Sequence, residues 1–288
     1  MRGICLNIIL LCLLFLSNCV QESSKKLFSN RKDSSENTFF TFHFVFMASA
    51  MVFFLIAGGG LHFRTRTVLY GLLFALSFAI TIYTATKALK FGPMSVTCLA
   101  VSYALLIPTV AGIFLFEEPF TFTVGAGVLL MILSVYLICK SKDQERISVK
   151  WAILTLLAVL GNGTCALLQK AYQYGNHGST DMDFMPIAML FATLLMLPFL
   201  LAAPKKSLRA VKSVWPCGVP AGLTNAFTNF VSLTLVSRMP ATILYPVLSI
   251  LCVFSALLPS VTLFHERLSA KQLVGIVIGI LALLALNL

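Results

Sequence analysis

Charged side chains are scarce in this sequence. Only 11% of its 288 residues are Asp, Glu, Lys or Arg, and only 10 of them are acidic, whereas a typical soluble domain has about 25% charged residues. With 59% hydrophobic residues, the composition excludes an ordinary soluble domain. The sequence also lacks CxxC pairs, zinc-type Cys/His spacing and a Gly-rich phosphate loop, and its acids are few and scattered. We therefore expect no metal ion, no cofactor and no enzymatic activity.

Long uncharged runs separate short charged clusters along the chain. Each run has roughly 17–25 residues, enough to cross about 30 Å of hydrocarbon at 1.5 Å per residue. This pattern predicts an all-α membrane protein with ten transmembrane helices, at residues 3–20, 39–60, 68–86, 91–116, 119–139, 151–169, 184–203, 214–237, 239–264 and 272–288. The linker 21–38 is rich in Ser, Asn and Lys, which predicts a mobile loop.

The first span is open to two interpretations. An apolar stretch that directly follows Met1 and Arg2 is also typical of a cleaved secretory signal. However, Lys25, Lys26, Arg31 and Lys32 follow this stretch, and cleavage would leave these cations on the far side of the membrane, against the positive-inside rule. We predict a retained helix.

The loops differ strongly in basic residues, which predicts the orientation. Of the 21 Lys and Arg residues, 16 lie in loops on the side opposite the N-terminus and 5 lie on the N-terminal side. Both termini are therefore predicted to lie outside, with the basic loops in the cytoplasm of a bacterial cell and the chain in its inner membrane. Because cytoplasmic loops that face anionic lipid account for the net charge of +11, we expect no nucleic-acid partner.

The two halves of the chain end in similar patterns. In each half a proline opens a long span, a glutamate follows it, and a glycine lies in the next helix, at Pro93, Glu117 and Gly125 and again at Pro240, Glu266 and Gly275. Five helices are an odd number, so a second copy would enter the membrane in the opposite sense. We predict two inverted five-helix repeats, residues 1–146 (with the mobile loop 21–38) and 147–288.

These motifs resemble the drug/metabolite transporter superfamily, specifically its EamA-like permeases. The second copy, from Phe264-His265-Glu266 to Gly275, is nearer to the family pattern, whereas the first has a doubled glutamate followed by Pro119. The resemblance covers nearly the whole chain. It implies a 5+5 helix fold and secondary transport, and it does not indicate a substrate.

Uncharged polar residues within the spans are the candidate lining of a substrate cavity. Asn225 and Asn229 lie four residues apart, on one face of a helix. The full set of candidate substrate-binding residues is Tyr83, Ser102, Tyr103, Asn162, Gln169, Asn225, Asn229 and Tyr245. Each of them could instead make a hydrogen bond between helices, as polar residues in membrane proteins often do.

The function predicted from these observations is alternating-access transport of a small neutral or zwitterionic metabolite. Almost no ionisable side chain falls at midplane depth in the predicted spans, whereas proton-coupled exporters need one there. The alternatives are a proton-coupled multidrug exporter, a membrane-embedded transferase and a non-transporting structural subunit. The expected partners are a small-molecule substrate and membrane lipid. A homodimer is left open, although we assign the Gly275-xxx-Gly279 motif to packing within the chain.

Overall fold

The computed structural model of the chain describes residues 2–31, 35–58, 61, 63–105, 107, 111, 122–139, 148–174, 184–236 and 241–286. Within these ranges the chain forms ten α-helices and no strand. The helices are α1 (Arg2–Ser29), α2 (Glu36–Gly58), α3 (Thr65–Ala88), α4 (Met94–Ser102), α5 (Phe122–Cys139), α6 (Val149–Tyr174), α7 (Met185–Leu201), α8 (Pro204–Val236), α9 (Ala241–Thr262) and α10 (Ala270–Leu286). A short 3₁₀ turn, Tyr103–Leu105, follows α4.

Several of these helices are long and apolar enough to cross a membrane. By length and composition, four stretches among the described residues qualify, namely Leu6–Ser29, Glu36–Ala57, Thr65–Ala88 and Val149–Gln169. Shorter apolar stretches are Met185–Leu201, Leu251–Thr262 and Leu273–Ala282. The predicted all-α class is therefore confirmed over the described residues, and four of the helices have the length and composition of membrane spans.

The predicted mobile loop 21–38 is wrong over much of its length. Helix α1 continues to Ser29 and α2 begins at Glu36. Residues 4–57 contain neither Gly nor Pro, so nothing in the backbone ends the helix near residue 20. Lys25 and Lys26 are 6% and 7% exposed and are paired inside the bundle, so their charges do not mark a solvated loop.

Two other helices also differ from the predicted spans. Helix α8 starts at Pro204, ten residues before the predicted start, because proline suits the first turn of a helix, where its missing N–H costs nothing. The fourth predicted span, 91–116, is described as α4 and its 3₁₀ turn, up to Leu105. Glu117 and Glu118, to which the first copy of the repeat pattern was assigned, lie outside the described residues.

Most helix packing joins the first five helices to the last five. Helix α2 packs on α7 and α8, α3 on α6 and α7, and α1 on α8 and α9. Helix α4 packs on α6 and α9, and α5 packs on α10. Over the described residues, the two groups of helices therefore share one core, in which each buries apolar faces against the other.

A cluster of aromatic side chains forms much of the shared core. The rings of Phe28 and Phe42 stack with their centroids 3.9 Å apart, and Phe46, Phe54 and Phe184 are fully buried. These residues come from α1, α2 and the start of α7. The rings of Phe39 and Phe42 thus contact the C-terminal end of α1 through Phe28, close to the charged side chains that α1 carries into the interior.

The Gly275-xxx-Gly279 motif lies in a close contact within the chain, as predicted. The Ser134 hydroxyl on α5 donates to the carbonyl of Gly275 at 2.6 Å. A Cβ on Gly279 would lie 2.4 Å from the Tyr103 hydroxyl oxygen. The small residues therefore allow α10 to approach α5 and the end of α4.

We expect Gly222→Ala to destabilise the fold. A Cβ at this position would lie 2.1 Å from the carbonyl oxygen of Phe46, so α8 and α2 would have to separate. The expected loss is about 1–3 kcal/mol in the free energy of unfolding, measured by denaturant unfolding in mixed micelles. Gly71→Ala is the control, since its Cβ would meet mainly the side-chain methyl of Ile187 at 3.0 Å. Equal losses for the two variants would contradict this interpretation.

Candidate solute-binding cavity

A cavity of about 80 Å³ lies inside the bundle where α1, α3, α4, α6 and α9 meet. At 1.5 Å per residue, Asn162 lies roughly 20 Å from the start of α6 and Glu22 roughly 10 Å from the end of α1, so the cavity is well inside the helical length. Helices from both groups contribute to it. Its lining is Glu22, Lys25, Ala85, Leu89, Thr97, Cys98, Val101, Ser102, Asn162 and Cys252.

A pair of opposite charges projects into the cavity from α1. The Lys25 ammonium donates to one carboxylate oxygen of Glu22, three residues earlier in the helix. The other carboxylate oxygen accepts a hydrogen bond from the Cys98 thiol at 3.1 Å. The side chains of Glu22 and Lys25 are 12% and 7% exposed, respectively. Because both charges are removed from bulk water, each depends on the other for its stability.

The wall formed by α4 is polar and is held by neighbouring helices. The Ser102 hydroxyl donates to the Cys98 carbonyl at 2.9 Å and lies 3.9 Å from the Cys252 sulfur on α9. Thr97 accepts a hydrogen bond at 2.9 Å from the indole N–H of Trp151 on α6. The hydroxyl and thiol groups of this wall can accept and donate hydrogen bonds to a polar solute.

Two of the predicted candidates, Ser102 and Asn162, line this cavity. They come from different halves of the chain, and the structure brings them together. Asn162 extends toward the cavity from the middle of α6, next to the close approach of Gly163 to the carbonyl of Ala104. Ser102 and Asn162 thus line the same cavity as Glu22 and Lys25.

Other candidates lie away from this cavity. The Tyr103 hydroxyl is hydrogen-bonded to Ser134 at 2.6 Å, between α4 and α5. The Asn229 amide donates to the Asn225 carbonyl at 2.8 Å along α8. Tyr83 donates to Glu36, which also binds the Lys87 ammonium.

The two remaining candidates have less defined surroundings. Gln169 is half-buried on α6, two turns beyond Asn162. Tyr245 belongs to α9, but its side chain lies outside the described residues. Among the described residues, no three His, Cys, Asp or Glu side chains are grouped as a metal site.

A second ionic contact lies between the cavity and the end of the bundle. The Lys26 ammonium is 3.0 Å from a carboxylate oxygen of Glu266, in the turn between α9 and α10. It also donates to the carbonyls of Leu89 at 2.9 Å and Gly92 at 3.2 Å. Glu266, which the sequence pattern places at the end of a long span, therefore pairs with a lysine from the other half of the chain.

The sequence interpretation missed Glu22, Lys25 and Lys26 as interior residues. The first predicted span ends at residue 20 because Glu22 is the first charged residue after the apolar run. The available signal was the spacing of Glu22 and Lys25 in a stretch with no helix breaker, because opposite charges three residues apart meet on a helix surface. The inference from the scarcity of ionisable groups in the predicted spans therefore did not take these three interior residues of α1 into account.

The second half of the chain matches a known family of transporters. Residues 149–288 match the EamA-like transporter family, part of the drug/metabolite transporter superfamily. A solved crystal structure superposes with a TM-score of 0.60 at 15% identity, over 96% of this chain and 97% of that one. A likeness at this identity concerns the fold alone. A search of curated proteins found no significant match.

The Glu22–Lys25 pair predicts a specific pattern in a double-mutant cycle. Glu22→Gln or Lys25→Gln alone leaves one buried charge without its partner and should lower the free energy of unfolding by about 3–5 kcal/mol. The double variant leaves no charge, so it should be more stable than either single variant. Denaturant unfolding in mixed micelles measures all four proteins. Additive losses would show that the two charges do not depend on each other.

Proposed function

We propose that this chain, whose residues 149–288 belong to the EamA-like transporter family, is a secondary transporter that moves a small neutral or zwitterionic metabolite by alternating access. Proteins of this family are integral membrane transporters. The observation that carries the finer proposal is the cavity between the two groups of helices, which contains both a carboxylate and an ammonium group. The proposed location is a bacterial inner membrane with the basic loops in the cytoplasm.

The pattern of helix packing supports two inverted repeats. The contacts can be compared after each helix is exchanged for its counterpart in the other half, so that α1 is exchanged with α6, α2 with α7, α3 with α8 and α4 with α9. Under this exchange, the contact between α1 and α8 becomes the contact between α6 and α3. The pairing of α1 with α9 becomes that of α6 with α4, and that of α2 with α8 becomes that of α7 with α3. All of these pairs are in contact. Such an exchange relation suits alternating access, because the two halves can swap conformations around a central site.

The charges in the cavity favour a zwitterion among small solutes. Glu22 and Lys25 together carry no net charge, so a solute with net charge would leave an uncompensated charge in a site poor in water. A zwitterion can replace the internal ion pair with two new ones, its cationic group on Glu22 and its anionic group on Lys25. Hydroxyl, amide and thiol groups from Ser102, Asn162 and Cys98 offer further polar contacts.

The size of the cavity favours a small metabolite over a drug. Its volume of about 80 Å³ is well below the roughly 300–1,000 Å³ of pockets that hold drug-sized ligands. The proton-coupled exporter is kept as a second candidate because of one observation. Glu22 is a carboxylate inside helix α1, within the apolar stretch Leu6–Ser29, and proton coupling requires a residue of this type.

We expect the purified chain in liposomes to transport a zwitterionic solute. The screen compares amino acids, nucleobases and sugars, each with and without a proton gradient. Glu22→Gln and Lys25→Gln should each lower the flux of the zwitterion about tenfold or more, since each removes a hydrogen bond to a charged group. Lys206→Gln, at an exposed position at the start of α8, has the same charge change as Lys25→Gln and should retain the flux.

The other outcomes of the screen separate the alternatives. Flux that occurs only with a proton gradient, and only for larger cationic compounds, would favour the exporter. Flux of sugars or nucleobases that is insensitive to Glu22→Gln would contradict the role of the charged pair. The absence of flux for every solute would contradict the transport proposal.

A further inference from the structure

The Lys26–Glu266 contact joins parts of the chain that are distant in sequence. Lys26 belongs to α1, whereas Glu266 lies in the turn between α9 and α10. The two carbonyls that Lys26 also binds, those of Leu89 and Gly92, belong to the connection between α3 and α4. One ammonium group therefore connects three segments from both halves, at the end of the bundle where α1 and α3 end.

Glu266 also holds the N-terminus of α4. Its carboxylate accepts the backbone N–H of Met94 at 2.9 and 3.1 Å and the hydroxyl of Ser260. The cap residue of α4 is Pro93, which makes no side-chain cap of its own. The carboxylate thus supplies both the missing acceptor and a negative charge at the positive end of the helix dipole.

The backbone turn at His265 orients the Glu266 carboxylate. His265 has a φ of 49°, in the left-handed region that His enters more readily than most residues. The next N–H, that of Glu266, returns to the carbonyl of Ser260 at 3.0 Å. The chain therefore folds back on α9, and the Glu266 side chain reaches α4 and α1.

This junction is continuous with the cavity. Leu89 lines the cavity and also accepts a hydrogen bond from Lys26 through its carbonyl. Lys25, the preceding residue on α1, belongs to the charged pair inside the cavity. Thr97 and Cys98, one turn along α4 from its capped end, form the adjacent wall. Movement at the junction would therefore shift the lining directly.

We propose that the Lys26–Glu266 pair is the closed gate of the cavity at the end where α1 terminates, and that Glu266 is a positioning residue for the α4 wall. This role rests on the proposed transport function, which needs a closure that can be reversed. The two side chains are 9% and 14% exposed, so they exclude most water. A buried ion pair suits a gate because its Coulombic gain is largely offset by desolvation, so the net cost of opening it is small.

A nearby ion pair offers a matched control. Glu36 and Lys87 are 2.6 Å apart at the same end of the bundle. Their side chains are 62% and 25% exposed, and both belong to the first half. This pair does not line the cavity, so its loss should leave the gate intact.

The test measures the labelling rate of each cysteine in the full-length chain in vesicles, by mass spectrometry after brief exposure to a charged, membrane-impermeant thiol reagent. With the reagent on the side where α1 ends, Glu266→Gln and Lys26→Gln should each raise the labelling of Cys98 and Cys252 about tenfold, since each removes a hydrogen-bonded charge from the closed state. Glu36→Gln should not change it. Glu266→Asp should restore part of the closure, because it keeps the carboxylate.

Two further cysteines distinguish an open gate from a loosened fold. Cys165 and Cys217 are buried and do not line the cavity. Labelling that rises at all four cysteines would show general destabilisation and overturn the proposal. Unchanged labelling of Cys98 and Cys252 would overturn it as well. The labelling experiment needs no substrate, so it is independent of the flux screen. Labelling can support the gate even if no solute is transported, and transport can be observed even if labelling contradicts the gate.

Discussion

An ionised side chain inside a helical bundle must find its partners within the protein, because little water is there to stabilise its charge. Helix α1 carries three such groups in one turn, Glu22, Lys25 and Lys26. Glu22 and Lys25 neutralise each other on α1, but Lys26 has to reach the α9–α10 turn to meet Glu266. The need to pair these charges therefore links the cavity, the end of α4 and the second half of the chain.

The packing between the two halves buries apolar helix faces. Each group of five helices has apolar faces that its own members do not cover, and the contacts of α1, α2 and α3 with α6, α7 and α8 cover them. Close approaches such as Gly222 on Phe46 and Gly163 on Ala104 bring the two backbones together. The cavity lies where α4 and α9 meet α1, and polar side chains such as Glu22, Lys25 and Ser102 line it together with apolar ones such as Val101.

Much of the helical architecture could be predicted because uncharged run length is a direct physical requirement of a bilayer. Ten predicted spans correspond in order to ten described helices, and two of the predicted polar residues, Ser102 and Asn162, line one cavity. The extension of α1 could not be predicted from charge, because the same lysines serve equally well in a cytoplasmic loop. The contact of Lys26 with Glu266, 240 residues away in the sequence, is a tertiary interaction that the charge pattern does not show.

The central claim is that a solute occupies the cavity between the two halves, and protection of its thiols tests this most directly. Alkylation of Cys98 and Cys252 is followed while the concentration of the best transported solute is raised. We predict that both thiols are protected, with half-protection at the solute concentration that half-saturates flux, while Cys165 reacts at an unchanged rate. Saturable flux with no protection of Cys98 or Cys252 would contradict the account, because the solute would then cross elsewhere.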